Sequence, residues 1–150
     1  MERRKPKFDT YEDVIRDLEM LEKSGYSRLG KWSLGQVCTH LAFYFRGSLE
    51  GFEFKAPWII RVLVGKPFLW WLMRREGYPD NSQTVPQSVP TENVDDHEAV
   101  MKTKELLTRL STAKDLHPSG LFGKLTLDQW RMMHLQHAGH HLGFLVPKKG

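Results

Sequence analysis

The stretch TLDQWRMMHLQHAGHHLGFLVP, residues 126–147, contains four of the seven histidines of this chain. Its opening T-L-D-Q has the S/T-x-x-Q form of a capping box, which predicts the start of a helix, and Pro147 predicts its end near residue 145. At about 100° per residue, one narrow stripe of this helix carries Trp130, His134, His137, His141 and Leu145. Three histidines therefore lie on the face where a bundle helix normally carries leucine.

Three other amphipathic helices are predicted before this one. They span residues 10–24, residues 33–51, which open with a second S-x-x-Q capping box, and residues from about 93–95 to 112. No strand pattern competes with these helices. The sequence therefore predicts an all-α, antiparallel four-helix bundle with an additional short apolar helical segment.

That apolar segment is PWIIRVLVGKPFLWWLM, residues 57–73. It carries two internal cations, is interrupted by a glycine and a proline, and falls short of the roughly 20 residues that a membrane span needs. We expect no membrane span here, but a buried or interfacial pair of short helices. The following proline-containing stretch, residues 77–94, is predicted to be a long surface loop, either a plain connection or a lid.

Composition predicts one globular domain. The chain has 150 residues, of which 40% are hydrophobic and 27% are charged. The net charge of +4 is only mildly basic, and no interleaved basic and aromatic stripe supports nucleic-acid binding. Residues 1–8 are predicted to be a flexible basic arm in front of a single bundle domain, residues 9–150.

The single cysteine, Cys38, rules out an intrachain disulfide and fits a reducing compartment. The N-terminal residues pass from basic positions directly into an amphipathic helix, without an apolar leader segment. We therefore expect a cytoplasmic protein. A homodimer is compatible with a bundle of this size.

The histidines of the last helix have the spacing of a helical metal site. His137 and His141 are four residues apart, so one ion can contact a ring nitrogen of each at about 2.0–2.1 Å. The pairs His137 with His140 and His134 with His137 are alternatives that helical geometry allows. A third ligand must come from another helix, and His40, on the inward face of the second helix, is the best candidate.

Other metal and catalytic motifs are absent from the sequence, including HExxH, CxxC, GxSxG and GxGxxG. The inward faces also lack the carboxylates of a ferritin-like di-iron site. His134 and Gln36 are candidates for orienting a ligand from outside the metal's own ligand set. The alternative is that the histidines are structural and satisfied by carbonyls or water.

Two segments, KWSLGQVCTHLAFYFRG (31–47) and FGKLTLDQWRMMHLQHAGHHLGFL (122–145), resemble the DinB-like superfamily, and the chain looks closest to a branch that is a domain of unknown function. The resemblance rests on W-S-x-G-Q-x-x-x-H-L and H-x-x-H-H. It implies an up-down-down-up bundle and a divalent metal, most often nickel or zinc, held by His40, His137 and His141.

The resemblance also implies a class of activity. Characterised members of that superfamily include thiol-dependent S-transferases, and three neutral imidazoles with open coordination positions also suit a hydrolase. Where many members have an Arg-Gly-Gln-like run after the last histidine, this chain has Leu142, Gly143 and Phe144, so the resemblance favours metal binding more than thiol transfer. The catalytic residues, the small-molecule substrate and any thiol cofactor are not identified. The alternative function is a non-catalytic helical binding or dimerisation module.

Overall fold

A computed structural model describes residues 1–75, 86–91 and 93–150 of the chain. In chain order its elements are α1 (Tyr11–Ser24), β1 (Tyr26–Arg28), α2 (Leu34–Glu50), α3 (Trp58–Ile60), a π-helical segment (Arg61–Gly65), α4 (Lys66–Arg74), a 3-10 turn (Pro86–Ser88), α5 (Asp96–Thr112), α6 (Leu127–Leu142) and β2 (Leu145–Pro147). The predicted all-α bundle is confirmed, since α1, α2, α5 and α6 form its body.

Side-chain caps determine where the long helices begin. Complete capping boxes start α1 at Thr10, α2 at Ser33 and α6 at Thr126, and Asp95 caps α5 by accepting a hydrogen bond from the Glu98 amide. Each cap satisfies amides that the first turn leaves without a helical partner, and is worth about 1 kcal/mol. Helix starts were therefore predictable from local sequence.

The bundle core lies between two pairs of helices. Helices α1 and α2 each contact both α5 and α6, and the apolar stripes of all four meet in the interior. The largest fully buried apolar side chains of this core are Phe45, Leu18, Leu21, Leu34, Leu41, Leu107, Leu142 and Leu145. This packing holds α2 and α6, the two histidine-bearing helices, against each other.

The end of α6 differs from the prediction. The helix stops at Leu142 rather than near residue 145, because Leu145–Pro147 leaves it to pair antiparallel with Tyr26–Arg28. Gly143 closes the helix, with its amide bonded to the Gly139 carbonyl. The sequence carries no signal for this two-stranded pairing, since it joins short segments that lie far apart in the chain.

The segment expected as two short helices is one helical run, residues 58–74, called the apolar helix below. In its π-helical part the Lys66 amide bonds to the Arg61 carbonyl, five residues back, just before Pro67, which has no amide hydrogen. Leu69 and Leu72 pack into a second apolar cluster with Phe122, Leu125, Trp130 and Met133. No helix in the described part of the chain is long and apolar enough to cross a membrane.

The first residues of the chain lie against the bundle. The guanidinium of Arg4 forms an ion pair with Asp17 on α1 and donates to the carbonyls of Leu142 and Leu145. The division into an arm, residues 1–8, and a domain, residues 9–150, stays a prediction. Of the predicted loop 77–94, residues 77–85 and 92 lie outside the described residues.

Candidate metal centre

Helices α2 and α6 bring three histidines to one point. His40 extends from α2, and His137 and His141 extend from successive turns of α6. The Nε2 atom of His137 lies 3.1 Å from Nε2 of His40 and 3.1 Å from Nε2 of His141. Within the described ranges, no other group of three or more His, Cys, Asp or Glu side chains is close enough to share an ion.

A backbone carbonyl orients the His40 ring. Nδ1 of His40 lies 3.0 Å from the carbonyl oxygen of Ser88. A carbonyl only accepts hydrogen bonds, so Nδ1 carries the proton and donates it. In the neutral ring, Nε2 therefore presents a lone pair to His137. This is the arrangement that a metal-ligating histidine needs, with the second nitrogen held by a hydrogen bond.

His137 is in contact through its Nε2 with Nε2 of both other histidines. A single proton on its Nε2 can point at His40 or at His141, but it cannot make a straight hydrogen bond to both. Two nitrogen contacts of 3.1 Å are close to the spacing of about 3.3 Å between ligands around a tetrahedral cation with metal–nitrogen bonds of about 2.0–2.1 Å. The three nitrogens are therefore better placed to share a metal cation than to share a hydrogen-bonded proton.

The environment keeps these imidazoles neutral. Burial, together with the neighbouring His40, His140 and Arg3, lowers the pKa of His141 to about 2. Burial also holds the pKa of His137 well below its usual value, together with the adjacent histidines. For His40, burial lowers the pKa although the bond to Ser88 opposes the shift. Neutral rings are the ligating form, because a protonated nitrogen has no lone pair.

Two aromatic side chains enclose the cluster. The Trp32 ring stacks on His141, with centroids 5.4 Å apart, and lies 4.9 Å from His40. Tyr44 meets the rings of His40 and His137 edge to face, while its hydroxyl is 3.3 Å from Ser88 Oγ. These contacts restrict the orientation of all three imidazoles. Trp32 stands immediately before the α2 cap in the W-S-x-G-Q motif, which was the available sequence signal for it.

His134 occupies a separate buried position one turn before His137. Ser48 Oγ donates to the Phe45 carbonyl, so it accepts from Nε2 of His134 at 2.9 Å. The His134 ring also stacks on Trp130. Burial lowers the pKa of His134 to about 3. This histidine is thus hydrogen-bonded to α2, and its proposed influence on a ligand would act through the position of α6.

Gln36 has a local role at the start of α2. Its Oε1 accepts from the Ser33 amide, which completes the capping box, and its Nε2 donates to the Thr91 carbonyl at 3.4 Å. Both ends of the amide are therefore engaged away from the three cluster nitrogens. A role in orienting a ligand stays a prediction.

The remaining histidines and the cysteine lie outside the cluster. His97 pairs with Glu22, the His117 carbonyl accepts from Trp130, and the His140 ring meets a guanidinium nitrogen of Arg3. Cys38 is fully buried, and burial raises the pKa of its thiol to about 12. The thiol is therefore held protonated and shielded from solvent.

The donor set and its exposure indicate the chemistry available. Three imidazole nitrogens without a carboxylate suit a borderline divalent cation such as zinc or nickel rather than calcium or magnesium. His40 is buried, and His137 and His141 are intermediate in exposure, so the cluster lies towards the surface of the bundle rather than at its centre. Three protein ligands would leave a fourth tetrahedral position open, whereas a closed structural site fills all four with side chains.

Fold and cluster together define a class, a small helical bundle with a three-histidine centre that can bind a metal ion. The chain belongs to the family described as Protein of unknown function (DUF1569), whose model matches residues 1–148. Comparison with curated proteins and with solved structures finds no match.

Proposed function

We propose that this protein binds one divalent cation between His40, His137 and His141. The observation that carries the proposal is the convergence of three Nε2 atoms, with His137 only 3.1 Å from each of the other two. The bond from His40 to Ser88 and the low pKa values of the rings support it, because both leave lone pairs available at neutral pH.

We further propose that the family is related to the DinB-like metalloproteins, and that the cation is nickel or zinc. The support for this relationship is the position of the three histidines in the structure. The early-helix histidine and the H-x-x-x-H pair that the resemblance implies are the residues that converge here. Such an ion, held by neutral imidazoles with open coordination positions, supplies Lewis-acid chemistry.

The activity proposed for the site is hydrolysis of a small molecule or transfer of a group to a small thiol. The chain's own contribution is to position the three imidazole rings and to shield them from solvent. Trp32 and Tyr44 pack against the imidazole rings and restrict their orientation, and the three histidines would leave one coordination position of the ion for a ligand. Since Cys38 is buried and protonated, a reacting thiol would have to come from outside the chain.

Metal content tests the proposal. Untagged protein purified without chelator is analysed for nickel, zinc and other divalent metals, before and after incubation with a small excess of each. We expect about one equivalent per chain in the parent protein. His137→Ala should lose it, because His137 is the central ligand of the three.

His97→Ala is the matched control, since it also removes one histidine but from an exposed position on α5 paired with Glu22. It should keep the full metal content, and circular dichroism should show that both variants stay helical. A parent protein that takes up no metal, or equal loss in the two variants, would refute the proposal. Hydrolysis and thiol-transfer assays of the loaded parent against His137→Ala then test the activity.

A non-catalytic binding module is the second candidate. The observation that favours it is the apolar helix, whose large side chains are exposed on the surface. If the parent binds no metal but its apolar helix binds a partner, the histidines are structural and this candidate stands.

A further inference from the structure

The apolar helix exposes an unusual amount of apolar surface. Trp58 is 67% exposed, Leu63 is 68% exposed and Trp70 is 58% exposed. Further exposed large apolar side chains of this helix are Ile59, Ile60, Val62, Val64 and Trp71. Scattered apolar residues are normal on a surface, but a contiguous set of this size marks an interaction site.

The helix is fastened to the body along one narrow side. Leu69 and Leu72 are buried in the second apolar cluster, and Gly65 is buried against the chain at Leu121, where a Cβ would lie 2.4 Å from the Leu121 carbonyl oxygen. The exposed residues occupy the rest of its circumference. The bundle therefore presents the helix from its surface without covering it.

The charges of this segment all have one sign. Residues 54–75 contain five basic residues and no Asp or Glu. They are Lys55, Arg61, Lys66, Arg74 and Arg75. None of the five forms an ion pair with a carboxylate in the part of the chain that the structure describes. Two of them instead lie over tryptophan rings, Arg74 at 4.1 Å from the Trp70 centroid and Arg75 at 4.6 Å from the Trp71 centroid.

Tryptophan, long aliphatic side chains and cations that pair with no carboxylate among the described residues together match the boundary between lipid headgroups and acyl chains. Tryptophan rings favour that boundary, apolar side chains enter the first 5–10 Å or so below it, and basic residues meet anionic headgroups. The helix is too short to span a bilayer, but lying in the interface needs no span.

We propose that the apolar helix, residues 58–74, docks the protein on an anionic lipid surface. Trp58, Leu63 and Trp70 enter the interface, and Lys66 and Arg74 contact the headgroups. Leu69 and Leu72 keep their contacts with the bundle, so binding requires no unfolding. This surface is separate from the three-histidine cluster, and the inference does not depend on metal binding.

Charge argues against a second copy of the chain as the occupant. A symmetric dimer through this helix would bring the same basic residues of both copies together, with no carboxylate of residues 54–75 to compensate. An anionic lipid surface offers the opposite charge and an apolar layer at once. The chain's net charge of +4 acts in the same direction.

Vesicle co-sedimentation of the full chain tests the proposal. We expect binding to phosphatidylcholine vesicles that contain phosphatidylglycerol, weaker binding at high salt, and little binding to pure phosphatidylcholine. Tryptophan emission should shift to the blue on binding, and lipids brominated on the acyl chain should quench it. This fluorescence readout uses the unaltered protein and is independent of how the variants fold.

Two variants with matched controls separate apolar from charge contributions. Leu63→Glu/Trp70→Glu should weaken binding by about tenfold or more, whereas Met101→Glu, which charges an exposed apolar position on α5, should leave it unchanged. Lys66→Glu/Arg74→Glu should weaken binding to anionic vesicles to a similar extent, about tenfold. Lys114→Glu/Lys149→Glu alters the net charge equally at exposed positions elsewhere and should have a much smaller effect.

Three results would overturn the proposal. The first is no binding to anionic vesicles at low salt. The second is equal weakening by the two charge-reversed pairs, which would mean attraction by net charge alone. The third is a parent protein that does not bind vesicles but forms a concentration-dependent dimer, which Leu63→Glu/Trp70→Glu abolishes. This result would show that a second copy of the chain covers the apolar helix.

Discussion

Proton positions on individual histidines determine what the cluster can bind. The carbonyl of Ser88 places the proton of neutral His40 on Nδ1, so Nε2 faces His137 with a lone pair. His134, one turn earlier on the same helix as His137, has the opposite arrangement, because its Nε2 donates to Ser48. The same residue type on one helix face therefore has two settings, a buried hydrogen bond at His134 and a place in the proposed metal site at His137.

Ser48→Ala tests the structural task of His134. The substitution leaves the buried Nε2–H group without its acceptor, which should lower the free energy of unfolding by about 1–3 kcal/mol. Metal content should stay at the parent level. Ser111→Ala, at an exposed serine whose hydroxyl donates to the Thr108 carbonyl, is the control and should change stability little. Urea unfolding measures both, and a stable variant that loses metal would contradict this assignment.

The stability of metal-free protein should fall as the pH falls. Folded His134 has a pKa of about 3, whereas an unfolded histidine titrates near 6.5. The unfolded chain therefore binds protons first, and stability present above about pH 6.5 is lost towards about pH 3, by about 1.4 kcal/mol per pH unit for each such histidine.

Urea unfolding between about pH 6 and about pH 4.5 measures this slope. His134→Gln removes one of the contributing groups, so its slope should be smaller by about 1.4 kcal/mol per pH unit. An unchanged slope in His134→Gln would show that His134 is not held neutral by burial.

Sequence periodicity gave the candidate pairs of histidines on the last helix, with His137–His140 and His134–His137 left open beside His137–His141, and it did not show what orients the rings. His137 and His141 follow from the helical repeat, and His40 from the inward face of α2. Ser88 was not predictable, because it acts through a backbone carbonyl that every residue type possesses. The stacking of Trp32 on His141 was also missed, since it depends on how α2 and α6 pack together.

At the scale of helices and strands, local sequence signals predict where the helices begin, whereas long-range contacts determine where α6 ends. The starts of α1, α2 and α6 were predictable because each has its capping residues in the adjacent sequence. The end of α6 was not, because Leu145–Pro147 is removed from the helix by pairing with Tyr26–Arg28. The apolar segment was expected to be buried or interfacial, and the structure leaves most of its large side chains exposed, since hydrophobicity alone does not show which faces find a partner.

Gly65→Ala tests how the apolar helix is attached. A Cβ at this position would lie 2.4 Å from the Leu121 carbonyl oxygen, which is backbone and cannot move aside easily. We expect detachment of the helix to become easier by about 1–3 kcal/mol. Hydrogen exchange of the amides of Lys66–Arg74 should accelerate accordingly.

Gly30→Ala is the matched control, because its added Cβ would approach Phe144 side-chain atoms no closer than 3.4 Å. Exchange in α4 should stay at the parent rate in this variant. Equal protection of α4 in the parent and in Gly65→Ala would show that close approach at Gly65 does not hold the helix in place.

At the scale of the whole molecule, the proposed cation would connect two distant parts of the chain. His40 and His137 are 97 positions apart in sequence and lie on different helices. A ligand that binds both only in the folded state stabilises the fold by mass action. The bundle is held together by its apolar core, so folding without metal is expected, unlike in a small zinc-dependent domain.

Thermal unfolding tests that linkage. With free zinc or nickel about a hundredfold above its dissociation constant, stabilisation should be about 2.7 kcal/mol, which corresponds to a rise in Tm of roughly 5–10 °C for a chain of this length. Chelator should reverse the rise. His137→Ala should show no rise, and His97→Ala should respond like the parent; a metal-induced rise in His137→Ala would refute the linkage.

The most direct measurement is anomalous diffraction from a crystal of the untagged protein grown with zinc or nickel, recorded on both sides of the metal edge. The account predicts one strong peak about 2.0–2.1 Å from Nε2 of His40, His137 and His141, with Nδ1 of His40 still bonded to the Ser88 carbonyl. A peak at other side chains, or no peak while the three rings keep their nitrogen contacts of 3.1 Å, would contradict it.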